Sequence, residues 1–108
     1  MDIVDPSDST LVAVTGRSFT LKCIGHNRSA LRWFHNDVAL SATTRLRITT
    51  SLDLTHDRMT SLLTRDAVGE GEGGAYRCAD VREGVEGRAS DVVVVRVDPP
   101  QLAKRGKV

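Results

Sequence analysis

The sequence predicts an all-β domain, and three observations carry that expectation. Apolar residues alternate with polar ones over short runs rich in Val, Ile, Thr and Phe, the period-2 pattern of strands with one buried face. Gly, Asp, Asn and Ser punctuate these runs at short intervals, and no segment sustains the 3.6-residue apolar period of a helix. At 108 residues the chain has the size of one domain built round a single core.

The strands follow in order. Residues 10–14 read as an edge strand, with Pro6 tolerable only at its start. Thr15-Gly16 turns the chain, and residues 18–24 carry Phe19, Leu21 and Cys23 on one face, which is assigned to the core because it holds the cysteine. Residues 31–35 put Leu31 and Trp33 inward, Arg32 and Phe34 outward. Asn36-Asp37 is a turn and residues 38–40 a short strand. Residues 45–50 turn Leu46 and Ile48 inward, a polar connection covers 53–57, and residues 59–64 form the next strand. The glycine-rich run 69–74 needs positive φ or close backbone approach. Residues 75–81 form a strand through Tyr76 and Cys78, residues 82–87 a charged hairpin loop, and residues 90–97 the last strand, with Val93, Val95 and Val97 inward. Pro99-Pro100 stops it, since proline brings no N–H and restricts its predecessor.

Charge and motifs narrow the function classes. Fifteen Lys and Arg against 14 Asp and Glu give a net charge of +1, with no electrostatic footprint for nucleic acid or an anionic membrane. No apolar run nears the ~18 residues of a membrane span. The opening residues Met1 to Pro6 lack the basic and apolar regions of a signal peptide. That leaves an intracellular protein, or an exported one whose leader is gone and whose Met1 is of vector origin; the second is favoured. There is no Gly-x-Ser-x-Gly elbow, His-Glu-x-x-His pair or phosphate loop, so the chain is not expected to be an enzyme. His26, His35 and His56 are scattered, and two cysteines without a Cys-x-x-Cys spacing suggest neither a metal site nor redox chemistry; no metal or cofactor is expected. Taken alone, the two cysteines could equally be a buried thiol pair or a bridge.

Cys23, Trp33 and the run Glu72-Gly73-Gly74-Ala75-Tyr76-Arg77-Cys78 together resemble the immunoglobulin superfamily over residues 3–98. The resemblance implies an immunoglobulin-like antiparallel β-sandwich of Greek-key connectivity with seven to nine strands. It implies an inter-sheet disulfide between Cys23 and Cys78, packed by Trp33, and a corner in which the Tyr76 hydroxyl bonds backbone among residues 69–73. Gly74 belongs to that corner. Glu72 stands where the family usually has Asp, and its expected partner is Arg45. The close spacing of the cysteines and the proline-containing lead-in look most like the I-set type, and the lack of a Phe-Gly-x-Gly motif argues against an antibody or T-cell-receptor variable domain. Residues 1–98 are then the domain, and residues 99–108 a linker to a neighbouring immunoglobulin-like domain or a vector-derived tail.

Asn27-Arg28-Ser29 is an acceptor triplet for N-glycosylation at Asn27. With the bridge, it points to an extracellular or cell-surface protein. The expected function is a protein-binding ectodomain module of an adhesion, immune-type or receptor protein, with another protein as its homophilic or heterophilic partner. The alternative is a structural I-set module of an intracellular filament or muscle scaffold. Alternation from Cys78 and Trp33 sets Arg77 and Ala79 outward beside Arg32 and Phe34. Val92 and Val94 point out onto the same face, so the expected interface centres on Phe34, Val92 and Val94, rimmed by Arg32, Arg77 and the charged loop 82–88.

Overall fold

Cross-strand burial of one face organises this chain: every alternating run becomes a strand, and the apolar faces of two sheets meet. The structure is a computed structural model and describes residues 2–5, 9–26, 30–82, 85–90 and 92–100. Among these, the strands are β1 (Asp2–Asp5), β2 (Thr10–Val14), β3 (Phe19–His26), β4 (Leu31–His35), β5 (Val38–Ala39), β6 (Leu46–Asp53), β7 (Arg58–Arg65), β8 (Gly74–Arg82), β9 (Val85–Ala89) and β10 (Val93–Asp98). A 3-10 turn spans Glu70–Glu72. One sheet runs β1-β3-β7-β6; the other runs β2-β10-β8-β4-β5, with β9 beside β8.

The core lies between the sheets and comes from the alternating positions. Leu21, Cys23, Trp33, Leu63, Tyr76, Cys78 and Val95 are buried in it, with Leu46, Val68 and Val93, and Leu31, Ile48 and Val97 pack against its margin. β3 shows the rule plainly, with Phe19, Leu21, Cys23 and Gly25 buried, Thr20 exposed, and Lys22 and Ile24 only partly buried. A disulfide joins Cys23 on one sheet to Cys78 on the other, Cα to Cα 6.6 Å, closing a sequence separation of 55.

Among the described residues ten strands form where seven to nine were expected, and three features depart from the expectation. The all-antiparallel arrangement is broken at β2, which lies parallel to β10 with Leu11 opposite Val95 and Ala13 opposite Val97. Periodicity reports which face is buried and is silent on strand direction. The lead-in is also two strands in two sheets: β1 pairs antiparallel with β3, while β2 joins the other sheet. Finally, residues 82–87 were expected as a hairpin loop, yet Val85–Ala89 forms β9 and pairs with the upper half of β8. Its charges and glycine mask the alternation. The last strand, expected over residues 90–97, is Val93–Asp98; Ser90 lies before it, its N–H donating to the Cys78 carbonyl (2.8 Å) and its hydroxyl accepting the Cys78 N–H (3.0 Å).

Candidate functional site

The sheet β2-β10-β8-β4-β5 turns one face to the core and the other to solvent, and its inner face fixes the outer one. Trp33 stands opposite Cys78 in the β4–β8 register and is buried. Its indole N–H donates to the hydroxyl of Ser61 (2.9 Å), a fully buried residue that lies opposite Cys23 on the other sheet. Sequence reasoning missed Ser61; only the β3–β7 register reveals it. Tyr76 is also fully buried. Its hydroxyl donates to the Glu72 carbonyl (2.5 Å) and accepts from Arg65 Nε (2.9 Å), while its ring stacks on His35 at 4.3 Å. Burial pushes the phenol above its ordinary value, opposed by the Arg65 guanidinium.

Glu72 and Arg45 do not pair. The Glu72 carboxylate folds back to accept the Gly69 N–H (2.6 Å), and Arg45 donates to the Ala67 carbonyl. With one methylene more than Asp, Glu72 reaches the start of its own 3-10 turn. The ion pair nearby is Arg47–Asp66, bidentate at 3.0 and 3.1 Å.

On the outer face, Phe34 lies opposite Arg77 on β8 and Ala39 on β5. The Arg77 guanidinium lies over the Phe34 ring, 4.3 Å from its centroid, and its Nε also faces the Asp37 carboxylate at 3.4 Å. Arg77 thus caps the ring instead of standing at its rim. Val94 faces Ala75 on one side and Thr10 on the other. Val92 and Val94 are 43% and 47% exposed, flanking Val93, which is buried. Arg32 is exposed beside Ala79; although alternation turns Ala79 outward, it is fully buried. One residue joins this face that the sequence reading did not assign to it: Val12, 47% exposed, which lies beside Arg96, a residue of Val94's own parity held to Asp98 at 3.0 Å. The parallel β2–β10 pairing brings Val12 there. Asn27 and residues 83 and 84 of the charged loop lie outside the described residues.

The result is a strip of small apolar side chains crossed by arginines, suited to a surface offering apolar groups and carboxylates. Among the described residues no cluster of His, Cys, Asp and Glu has the makings of a metal site.

No protein-family model matches the sequence, and no curated protein matches it. Solved structures do. The crystal structure of Dpr2 Ig1-Ig2 in complex with DIP-Theta Ig1-Ig3 matches with a TM-score of 0.66 and 20% identity, over 86% of this chain and 30% of that one. The N-terminal eight Ig domains of Down Syndrome Cell Adhesion Molecule isoform 1.30.30 match with a TM-score of 0.63 and 16% identity, over 83% and 11%. This chain spans less than a third of either. With two facing sheets, a bridge between them and these structural counterparts, the chain has the fold of an immunoglobulin domain, an all-β sandwich.

Proposed function

We propose that this chain is a protein-recognition module of a cell-surface protein, binding another protein through the outer face of the β2-β10-β8-β4-β5 sheet. The observation that carries the reading is the exposed strip Val12, Val92 and Val94 running beside the arginine-capped Phe34. Apolar side chains grouped on a solvated sheet face and bordered by arginines have the makings of an interface centre. The structural counterparts lend support, one being a complex between two such proteins and the other a cell adhesion molecule. A bridge between Cys23 and Cys78 favours an oxidising compartment. The short middle section favours the I-set type: β5 has two residues, and no strand lies between it and β6.

The test is a titration of the domain against a panel of cell-surface immunoglobulin ectodomains, this chain included. A partner bound by wild type should bind Val94→Glu at least ~10-fold more weakly, because a desolvated carboxylate would stand in the apolar centre. Phe34→Ser should weaken it as well, with unchanged circular dichroism in both. Equal binding by both variants would remove this face as the site.

A further inference from the structure

β6 ends its sheet. β7 pairs with it in unbroken register over all eight residues, and among the described residues no strand lies along its other side. A strand paired on one side directs the N–H and C=O of every second residue at solvent. The parity is set by Leu46, whose carbonyl accepts the Thr43 N–H (2.9 Å). The matching groups of Ile48, Thr50 and Leu52 therefore face the same free edge. Native edges are usually blunted by charged side chains, proline, a bulge or brevity. Leu-Arg-Ile-Thr-Thr-Ser-Leu-Asp has no proline and no bulge, and its two charges, Arg47 and Asp53, are of opposite sign and flank the uncharged stretch 48–52.

The edge is self-complementary about Thr50. With Thr50 opposite the same residue of a second copy, in antiparallel sense, Ile48 meets Leu52, Thr49 meets Ser51 and Arg47 meets Asp53. Apolar meets apolar, hydroxyl meets hydroxyl and cation meets carboxylate. Backbone parity agrees independently, because the 48/52 and 50/50 pairs are then the hydrogen-bonded ones, about six bonds in all. Moving the axis by one residue either way sets Ile48 or Leu52 against Thr50 and separates Arg47 from Asp53.

The side chains suit the pairing. Leu52 is 39% exposed, on the inner parity of the sheet where the sandwich gapes, and Thr50 and Met59 line a cleft there with Leu31 and Val81. Arg47 uses Nε and Nη2 on Asp66, leaving further N–H groups. Asp53 accepts the Thr55 and His56 N–H groups and the His56 ring, and retains acceptor capacity.

We propose that a second copy of this chain pairs with β6 edge to edge, in an antiparallel twofold register centred on Thr50. Such pairing is isologous, consumes both edges and closes as a dimer. It involves the β1-β3-β7-β6 sheet and stands apart from the contact proposed on the outer face of the β2-β10-β8-β4-β5 sheet.

Sedimentation equilibrium of the wild-type domain should show a reversible monomer–dimer equilibrium. Thr50→Pro removes an N–H directed at the free edge, costs no bond to β7, and should weaken dimerisation at least ~10-fold. Thr50→Cys should form a covalent dimer on mild oxidation, since Cα atoms of a hydrogen-bonded pair lie about 5.5 Å apart, within disulfide range. Thr49→Cys should stay unlinked, its two copies being offset by about 7 Å along the strand. Phe34→Ser should leave the dimer intact. A wild type monomeric at every concentration overturns the proposal, as does a Thr50→Cys protein that fails to cross-link. So does a dimer that survives Thr50→Pro and is lost in Phe34→Ser. Should Thr50→Pro misfold by circular dichroism, the two cysteine variants decide alone.

Discussion

Trp33 and Tyr76 are the largest buried side chains, and each carries a polar group that burial must satisfy. The Trp33 N–H depends on one hydroxyl, that of Ser61. Ser61→Ala would leave it unpaired in the core. The expected cost is about 1–3 kcal/mol, read from urea denaturation followed by Trp33 fluorescence; an unchanged midpoint would mean the indole finds another acceptor. Tyr76 gives a pH dependence with a definite sign. An unfolded tyrosine ionises near ~10. Burial holds the folded phenol neutral to higher pH. Above the unfolded value the native state keeps a proton that the unfolded state has lost, so stability falls as pH rises from there through the folded value. Tyr76 is the chain's single tyrosine, so an ultraviolet phenolate titration reads it without assignment. The expected result is a midpoint above that of the denatured chain; a coincident midpoint would contradict the burial. Cys23, Cys78 and Trp33 were conspicuous in the sequence because they are rare residue types, whereas Ser61 is one serine among many and acquires meaning only from the strand opposite.

At the scale of elements, turns and alternation were legible and pairing partners were not. Residues 10–14 and 31–35 have in the structure the bounds their alternation gave, because each holds a clear inward set between turn residues. β9 was hidden, since its charges and glycine resemble a loop until β8 supplies a partner. Arg77 could be assigned to the outer face by counting, but its seat over Phe34 follows from the β4–β8 register. The β4–β5 hairpin turns through Asn36 and Asp37, both at positive φ (50° and 66°), the twisted two-residue turn that Asn and Asp tolerate. Asn36 then locks the hairpin to β8: its N–H donates to the Ala75 carbonyl (2.8 Å) and its side-chain oxygen accepts the Ala75 N–H (2.9 Å). This close approach requires Gly74, at φ +128°, where a Cβ would lie 2.6 Å from the Asn36 oxygen. Gly74→Ala should therefore cost about 1–3 kcal/mol or more in thermal unfolding, from backbone strain and the clash together. Wild-type stability in this variant would show that the hairpin can move away from β8 freely.

The whole molecule is a sandwich whose two halves are tied at the centre by one covalent bond. Such a small domain retains only about 5–15 kcal/mol of net stability. The Cys23–Cys78 bridge, closing a separation of 55, accounts for roughly 4 kcal/mol on the chain-entropy account, a large share of that total. Both cysteines are fully buried, and Trp33, opposite Cys78, is almost so. A reductant in water therefore has no path to the sulfurs while the sheets stay together. Reduction should wait on opening of the sandwich: slow in dithiothreitol alone, fast once urea is added. Alkylation followed by mass measurement would time it, and the reduced chain should melt well below the oxidised one. Fast reduction of the native protein would mean that the sheets part locally near the bridge, and equal melting temperatures would mean that the apolar faces hold them together unaided.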